Sequence, residues 1–480
     1  MSALLAITII ILYFSVLVII SHFTSKNTDT TAFFTANKNS PWWLVAFGMI
    51  GTTISGITFI SVPGAVGNAN FSYYMFILGN GLGFLVIGLI LMPLYYRLNL
   101  ISIYSYLDQR FGFWTYKTGA GFFLLARTIG SAARLYLAVN VLHLAIFQYF
   151  GIPFILSVLI SIALIWLYTN KGGIKTIIIT DTLQTFFLLA ALVTTLWTIS
   201  SKMNLSFTGL FELIHDSKYS QLIDNRVEST HYWAKDFFSG IFIAIGMVGL
   251  DQDLMQKNLT CKNIKEAQKN MFWFYMVFLL INILFLSLGA ALYIYSNQMG
   301  IEIPSKTDNL FPNLALGGEF GLLAAISFLL GIIAATYASS DSALTALTTS
   351  FCIDFLRIEK FKESKRNVLK KWTHIGFCVI FFFSILVFHS FNGQELVGAV
   401  FTLAAYTYGP LLGLYVYGLY TPWQVKDKFV PIIAILSPII TYLIDSQLVN
   451  YIGSLGFANL IVNASICFIL LRLTKDIKLS

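Results

Sequence analysis

The sequence predicts an all-α integral membrane protein of thirteen transmembrane helices. Three observations carry that prediction. Apolar residues fill 57% of the 480 positions and charged residues only 11%, against about 25% charged in a typical soluble domain. The apolar residues gather in runs close to the roughly 20 residues that a helix needs to cross a bilayer. Those runs, 4–20 among them, do not alternate apolar with polar residues as barrel strands do. The composition excludes a soluble enzyme, a disordered chain and a nucleic-acid binder. Cys261, Cys352, Cys378 and Cys467 share no short spacing, so they read as apolar filler rather than a disulfide framework or zinc site.

The thirteen stretches lie at 3–22, 42–66, 71–96, 118–148, 152–169, 176–199, 237–256, 271–296, 320–353, 372–390, 396–420, 429–446 and 452–471. The first lacks a basic leader and a clear small-residue cleavage site, so it reads as a retained span rather than a signal peptide. Basic residues then set the orientation. With the N-terminus outside and the C-terminus cytoplasmic, 23 of the 30 Lys and Arg fall in inside segments and five in outside segments; Arg127 and Arg134 lie within a span. The expected location is the plasma (cell inner) membrane, multi-pass. Residues 1–480 read as one transmembrane domain. The polar stretches at about 200–235 and 297–318 read as external solvated linkers.

Charge at membrane depth is costly and points to function. Four positions qualify: Arg127, Arg134, Asp181 and Asp341. Asp341 follows the small, hydroxylated run Ala334-Ala335-Thr336-Tyr337-Ala338-Ser339-Ser340, in which 335, 338, 339 and 342 form one helical stripe. Such a stripe serves close helix packing, but packing does not call for an aspartate, and a cation site does. The run Gly48-Met49-Ile50-Gly51-Thr52-Thr53-Ile54-Ser55-Gly56-Ile57-Thr58 holds three glycines and four hydroxyls inside a span. It can unwind at little steric cost and offer carbonyls to a cation and half-helix ends to a substrate. No nucleophile elbow, phosphate loop, histidine pair or paired-carboxylate spacing is present, so no enzyme is expected.

Four stretches together resemble the sodium/solute symporter family, which includes the sodium-coupled sugar, proline and sialic acid transporters. They are Gly51-Thr52-Thr53-Ile54-Ser55-Gly56; Gly172-Gly173-Ile174-Lys175 with Thr180-Asp181-Thr182-Leu183-Gln184; Asp251-Gln252-Asp253-Leu254-Met255-Gln256-Lys257 at the inner end of the 237–256 stretch; and the run through Ser339, Asp341 and Ser342 to Asp354. The resemblance covers nearly the whole chain. It implies a leucine-transporter-type fold of two five-helix inverted repeats, 42–199 and 237–420. The helix at 42–66 is then discontinuous, and 3–22 and 429–471 are peripheral.

The resemblance also implies a sodium site made from the carbonyls of Gly51, Ile54 and Ala335 and the hydroxyl of Ser339. Relatives have two adjacent hydroxyl residues there. Anchoring on Asp354 puts Ala338 and Ser339 in those places, and a shift of one gives Ser339 and Ser340. A second cation site falls on Asp181 and Ser342, with Asp341 where relatives carry a hydroxyl. Two carboxylates there call either for a second cation or for one protonated carboxyl. Substrate contacts fall on Ser55, Thr58, Phe76, Asn80, Arg127 and Arg134. The arginines lean towards an anionic substrate such as a sialic acid, with internal ion pairing as the alternative.

The expected function is sodium-coupled symport of a small polar organic solute by alternating access. Its partners are sodium, the solute and the bilayer, with no cofactor beyond the coupling ion, no nucleic acid and no obligatory protein partner. The alternatives are proton coupling through Asp181 and Asp341 and, behind it, a transporter-like membrane sensor. No signalling domain follows the last span in this chain, which disfavours the sensor.

Overall fold

The computed structural model describes residues 3–26, 30–229, 231–390, 396–452 and 455–476, and it is almost wholly helical. The long helices are α1 (Ala3–Thr24), α2 (Trp42–Thr53), α3 (Gly56–Ala69), α4 (Tyr73–Arg97), α5 (Phe113–Ala145), α6 (Phe154–Thr169), α7 (Gly173–Lys202) and α8 (Trp233–Gly249). The short α9 (Gln252–Asn258) follows, then α10 (Ile264–Met299), α11 (Gly321–Ser350), α12 (Glu363–Ser390), α13 (Leu396–Tyr420), α14 (Val430–Ile452) and α15 (Asn459–Leu473). Their ends follow local rules. Pro41 and Pro153 stand just before α2 and α6, where a missing N–H costs nothing. Asn263 caps α10 by accepting from the Glu266 N–H at 3.0 Å. The same helix stops at Gly300, whose φ of 66° suits glycine.

The helices fall on the apolar stretches that the sequence marks out. Among the described residues nine are long and apolar enough to cross a bilayer singly, and two bent pairs raise the number to eleven. The sequence anticipates the first bent pair, α2 with α3, which meet at 63°. It does not anticipate the second. The stretch 237–256, read as one helix, is α8 and α9 meeting at 71°.

Helix α7 runs along α2 and α11, and α8 along α4. Helix α3 packs on α10, and α5 lies between α11 and α13. These contacts gather both breaks at the centre. The outer layer differs: only 28% of the apolar windows within Asp427–Val449 and Gly456–Leu473 is buried in protein, against 67% for Ile264–Met299 and Gly321–Phe355. With α1 at 33% and α12 at 28%, these are the least buried of the candidate spans among the described residues.

Candidate functional site

The first break follows from its small residues. A Cβ on Gly51 would stand 2.6 Å from Thr185 Oγ1, 3.0 Å from the Asp181 carbonyl oxygen and 3.6 Å from Ala338 Cβ. A Cβ on Gly56 would stand 2.1 Å from Thr336 Oγ1. The chain therefore threads between α7 and α11 only because these positions lack side chains. Ile54 (φ −85°, ψ 91°) and Ser55 (φ −79°, ψ 167°) leave the helical region. The helical ladder stops with the Ile54 N–H on the Ile50 oxygen, which releases the carbonyls of Gly51 to Ile54. The partial negative charge of the α2 C-terminus adds to theirs.

Facing this end, Ala338 lies over Gly51. The Ser339 hydroxyl donates to the Thr336 carbonyl at 3.0 Å, so its lone pairs remain free to accept. The break thus lies against the small, hydroxylated face of α11.

The residues of the expected second cation group each have partners in the protein. Asp181 Oδ2 accepts from the Thr52 hydroxyl at 2.9 Å and forms an ion pair with Lys257 Nζ at 2.5 Å. Lys257 also contacts the Thr52 hydroxyl, and both charged side chains are wholly buried. Lys257 is therefore not among the cytoplasmic basic residues, as the charge count had it. Asp341 accepts from the Tyr168 hydroxyl at 2.7 Å and the Ser342 N–H at 2.5 Å. The Ser342 hydroxyl donates to Asp253. The three residues expected to share one ion each have another partner.

The two arginines also part. Arg127 is buried and ion-paired with Asp253 and, at 3.7 Å, with Asp251. Asp251 accepts from the Tyr408 hydroxyl and caps α9 by accepting from the Asp253 N–H at 2.9 Å. Arg127 thus follows the internal-pairing alternative and is no free ligand for an anion. Arg134 is half-buried and makes no ion pair or hydrogen bond among the described residues.

A cavity of about 670 Å³ opens above the first break. Gly56, Ile57 and Thr336 lie at its base, Leu137, Ala138 and Val141 of α5 in its wall, and Asp308, Asn309 and Asn313 at its rim. The Thr336 hydroxyl makes no hydrogen bond. Arg134 lies one turn below Leu137 and Ala138 on the same face of α5. Ser55 caps α3, its oxygen 3.5 Å from the Thr58 N–H. Phe76 and Asn80 are not in the cavity wall. The Phe76 ring stacks on Tyr73 and lies 5.1 Å from the Phe457 ring, where α4 meets α8. The Asn80 side-chain oxygen is buried without a partner. The 297–318 stretch is more than a solvated linker, since Leu310–Leu316 covers the cavity and Asp308 accepts from Ser61 at 3.0 Å.

Residues 33–424 match the model of the sodium:solute symporter family. The chain belongs to this family. The symporter is 26% identical over 420 residues to the sodium/sialic acid symporter SiaT of Proteus mirabilis, covering 85% of this chain and 83% of that one. It is 25% identical over 376 residues to the sodium/glucose cotransporter of Vibrio parahaemolyticus, covering 70% and 64%. Its fold matches a solved sodium-coupled sialic acid symporter in a substrate-bound outward-open state with a TM-score of 0.82 at 21% identity, over 98% of this chain and 97% of that one. The family is one of transporters, and the symporter is a multi-pass membrane protein of this all-helical fold.

Sequence reasoning missed the symporter's second break and its charges. Asp251, Asp253 and Lys257 are fully buried, yet they sit in a polar motif at a helix end, where a cytoplasmic position is the ordinary reading. The signal was present: three charges within seven residues, two of them two positions apart, at the end of an apolar stretch. Tyr168 and Tyr408 gave no signal, because tyrosine is common throughout the chain.

Proposed function

We propose that the protein is a plasma-membrane sodium symporter for a small carboxylated solute, with sialic acids the first class to test. It has thirteen spans, an external N-terminus and repeats at 42–199 and 237–420. Sodium binds at the carbonyls of Gly51, Ile54 and Ala335 and the Ser339 hydroxyl, with Ala338 forming the wall of the site. The substrate lies above it, against Ser55 and Thr58, with its carboxylate on Arg134. The observation that carries this reading is the unpaired Arg134 guanidinium, one turn below the cavity wall, while its neighbour Arg127 is consumed by two aspartates. An arginine left unpaired at that depth suits a two-pronged hold on a carboxylate. The two repeats gain support from the breaks, which fall in the first helix of each. With Lys257 removed from the count, the inside segments still hold 22 basic residues.

This reading gives a transport cycle. Sodium joins the end of α2 to α11 and fixes the break, which fixes the base of the cavity. The loaded core then closes beneath Leu310–Leu316 and opens on the opposite side. Uptake into proteoliposomes under an inward sodium gradient tests the reading, with N-acetylneuraminate, glucose, proline and a short monocarboxylate compared side by side. Sodium-dependent uptake of N-acetylneuraminate, abolished in Arg134→Gln, is the expected outcome. Preference for an uncharged solute refutes the carboxylate assignment. Equal uptake under a proton gradient in sodium-free buffer refutes sodium coupling.

A further inference from the structure

We propose that the Lys257 ammonium is a tethered cation standing beside Asp181 in place of a second sodium ion, so that the symporter binds one sodium ion per cycle. The inference rests on the sodium-symport reading and deepens it by fixing the number of ions.

The argument begins with what surrounds the ammonium. Lys257 Nζ lies 2.5 Å from Asp181 Oδ2 and also contacts the Thr52 hydroxyl, which itself donates to Asp181 at 2.9 Å. One carboxylate oxygen and one hydroxyl are the kind of hard donors a small cation takes. They come from α7 and from α2, and Thr52 lies between Gly51 and Ile54. The cation that meets them here belongs to the chain, supplied by α9.

The other members of a second site already have partners within the protein. Both Asp341 oxygens are engaged, by the Tyr168 hydroxyl at 2.7 Å and the Ser342 N–H at 2.5 Å. The Ser342 hydroxyl points to Asp253. A sodium ion added beside Asp181 would meet the ammonium at close range and be repelled. Nor does the pair read as a device for stability alone. Buried ion pairs replaced by apolar residues of similar size often leave a protein equally or more stable. This pair also leaves Asp181 Oδ1 buried with no hydrogen-bond partner, so the carboxylate is not saturated as a purely structural pair would have it. Its three contributors instead sit on the half-helix before the first break, the half-helix after the second, and α7 between them. A tethered charge in that place lets α9 carry what a second ion would carry, without release to either side.

The test uses sodium alone and does not depend on the identity of the substrate. Purified full-length protein is melted across a sodium series at constant ionic strength, with choline as the replacement. The steepness of the stabilisation with the logarithm of sodium concentration reports how many ions the folded state binds. Wild type should show a one-ion slope. Lys257→Met should double it, because the vacated Asp181 and Thr52 oxygens now take sodium, and Lys257→Arg should leave it at one. Lys257→Met combined with Asp181→Asn should return it to one. A two-ion slope in wild type, or an unchanged slope in Lys257→Met, overturns the proposal. If Lys257→Met fails to accumulate, wild type and the double variant decide: both at one ion supports the proposal, and a fall from two to one refutes it. No sodium stabilisation of wild type at all would sink the symport reading itself, which is a different result.

Discussion

The two broken helices solve one problem in opposite ways. At the first break, α2 into α3, the chain turns by 63° among glycines, hydroxyls and carbonyls, with no charged side chain in the turn. Its second half is capped by the neutral Ser55. At the other, α8 into α9, the chain turns by 71° and is capped by the carboxylate of Asp251. That carboxylate and Asp253 are balanced by Arg127, and Lys257 is spent on Asp181. A break that leaves backbone carbonyls unpaired can hold a cation from solution, whereas one that neutralises its charges internally becomes a fixed part of the frame. The comparison therefore separates an end built of carbonyls and hydroxyls from one anchored by ion pairs.

The most severe way to break the comparison is to remove the balance at the second turn. Arg127→Met should leave Asp251 and Asp253 facing each other without a counter-charge in a buried setting. Stranding a buried charge in this way costs about 3–5 kcal/mol. The expected result is a large loss of folded protein, measured as detergent-solubilised yield and as a melting temperature well below wild type. Survival of Arg127→Met at wild-type stability would show that the second break needs no neutralisation.

A smaller effect, and a more specific one, belongs to the first break. Ser339→Ala should spare the fold, since the only bond its hydroxyl donates is to a carbonyl one turn away in its own helix. It should raise the sodium concentration for half-maximal uptake by roughly 5- to 150-fold, equivalent to the about 1–3 kcal/mol of a lost partner at a buried polar group. Ser340→Ala serves as the contrast, because Ser340 makes the same bond to Thr336 at 2.9 Å but lies one position further along α11. Equal shifts in the two variants would reverse the register.

This difference between the breaks also explains what could be read in the sequence. The first was legible because its glycines and hydroxyls interrupt an apolar run, so composition alone marks the weak point. The second was hidden because Asp251, Asp253 and Lys257 come at the end of an apolar run, where charge is ordinary, and only depth distinguishes the two cases. Arg127 and Arg134, seven residues apart on one face, posed a problem of another kind. What separates them is Asp253, 126 residues away from Arg127, and no local pattern reports so distant a partner. Phe76 and Asn80 were read as one face of a helix, which they are; their neighbours Tyr73 and Phe457 decide that the face meets protein instead of the cavity.

The smallest expected effect compares the two caps. Ser55 accepts from the Thr58 N–H at 3.5 Å, a long bond, whereas Asp251 accepts from Asp253 at 2.9 Å and Leu254 at 3.3 Å. Losing a serine cap to alanine costs about 0.5–2 kcal/mol in general, and the length of this bond puts Ser55→Ala at the low end. Glycine tolerates a cap position better, so Ser55→Gly should cost only a few tenths of a kcal/mol. Thermal melts of the two variants test the cap, and uptake at varied substrate concentration tests the proposed contact. If the hydroxyl serves only α3, alanine should be the less stable variant and both should keep the wild-type KM. If it also meets the solute, both variants should raise KM alike, whatever their stability. Matched KM increases with unequal melting temperatures would thus separate the role of Ser55 in the fold from its role in binding, which the charged cap at Asp251, committed to Arg127 and Tyr408, does not allow.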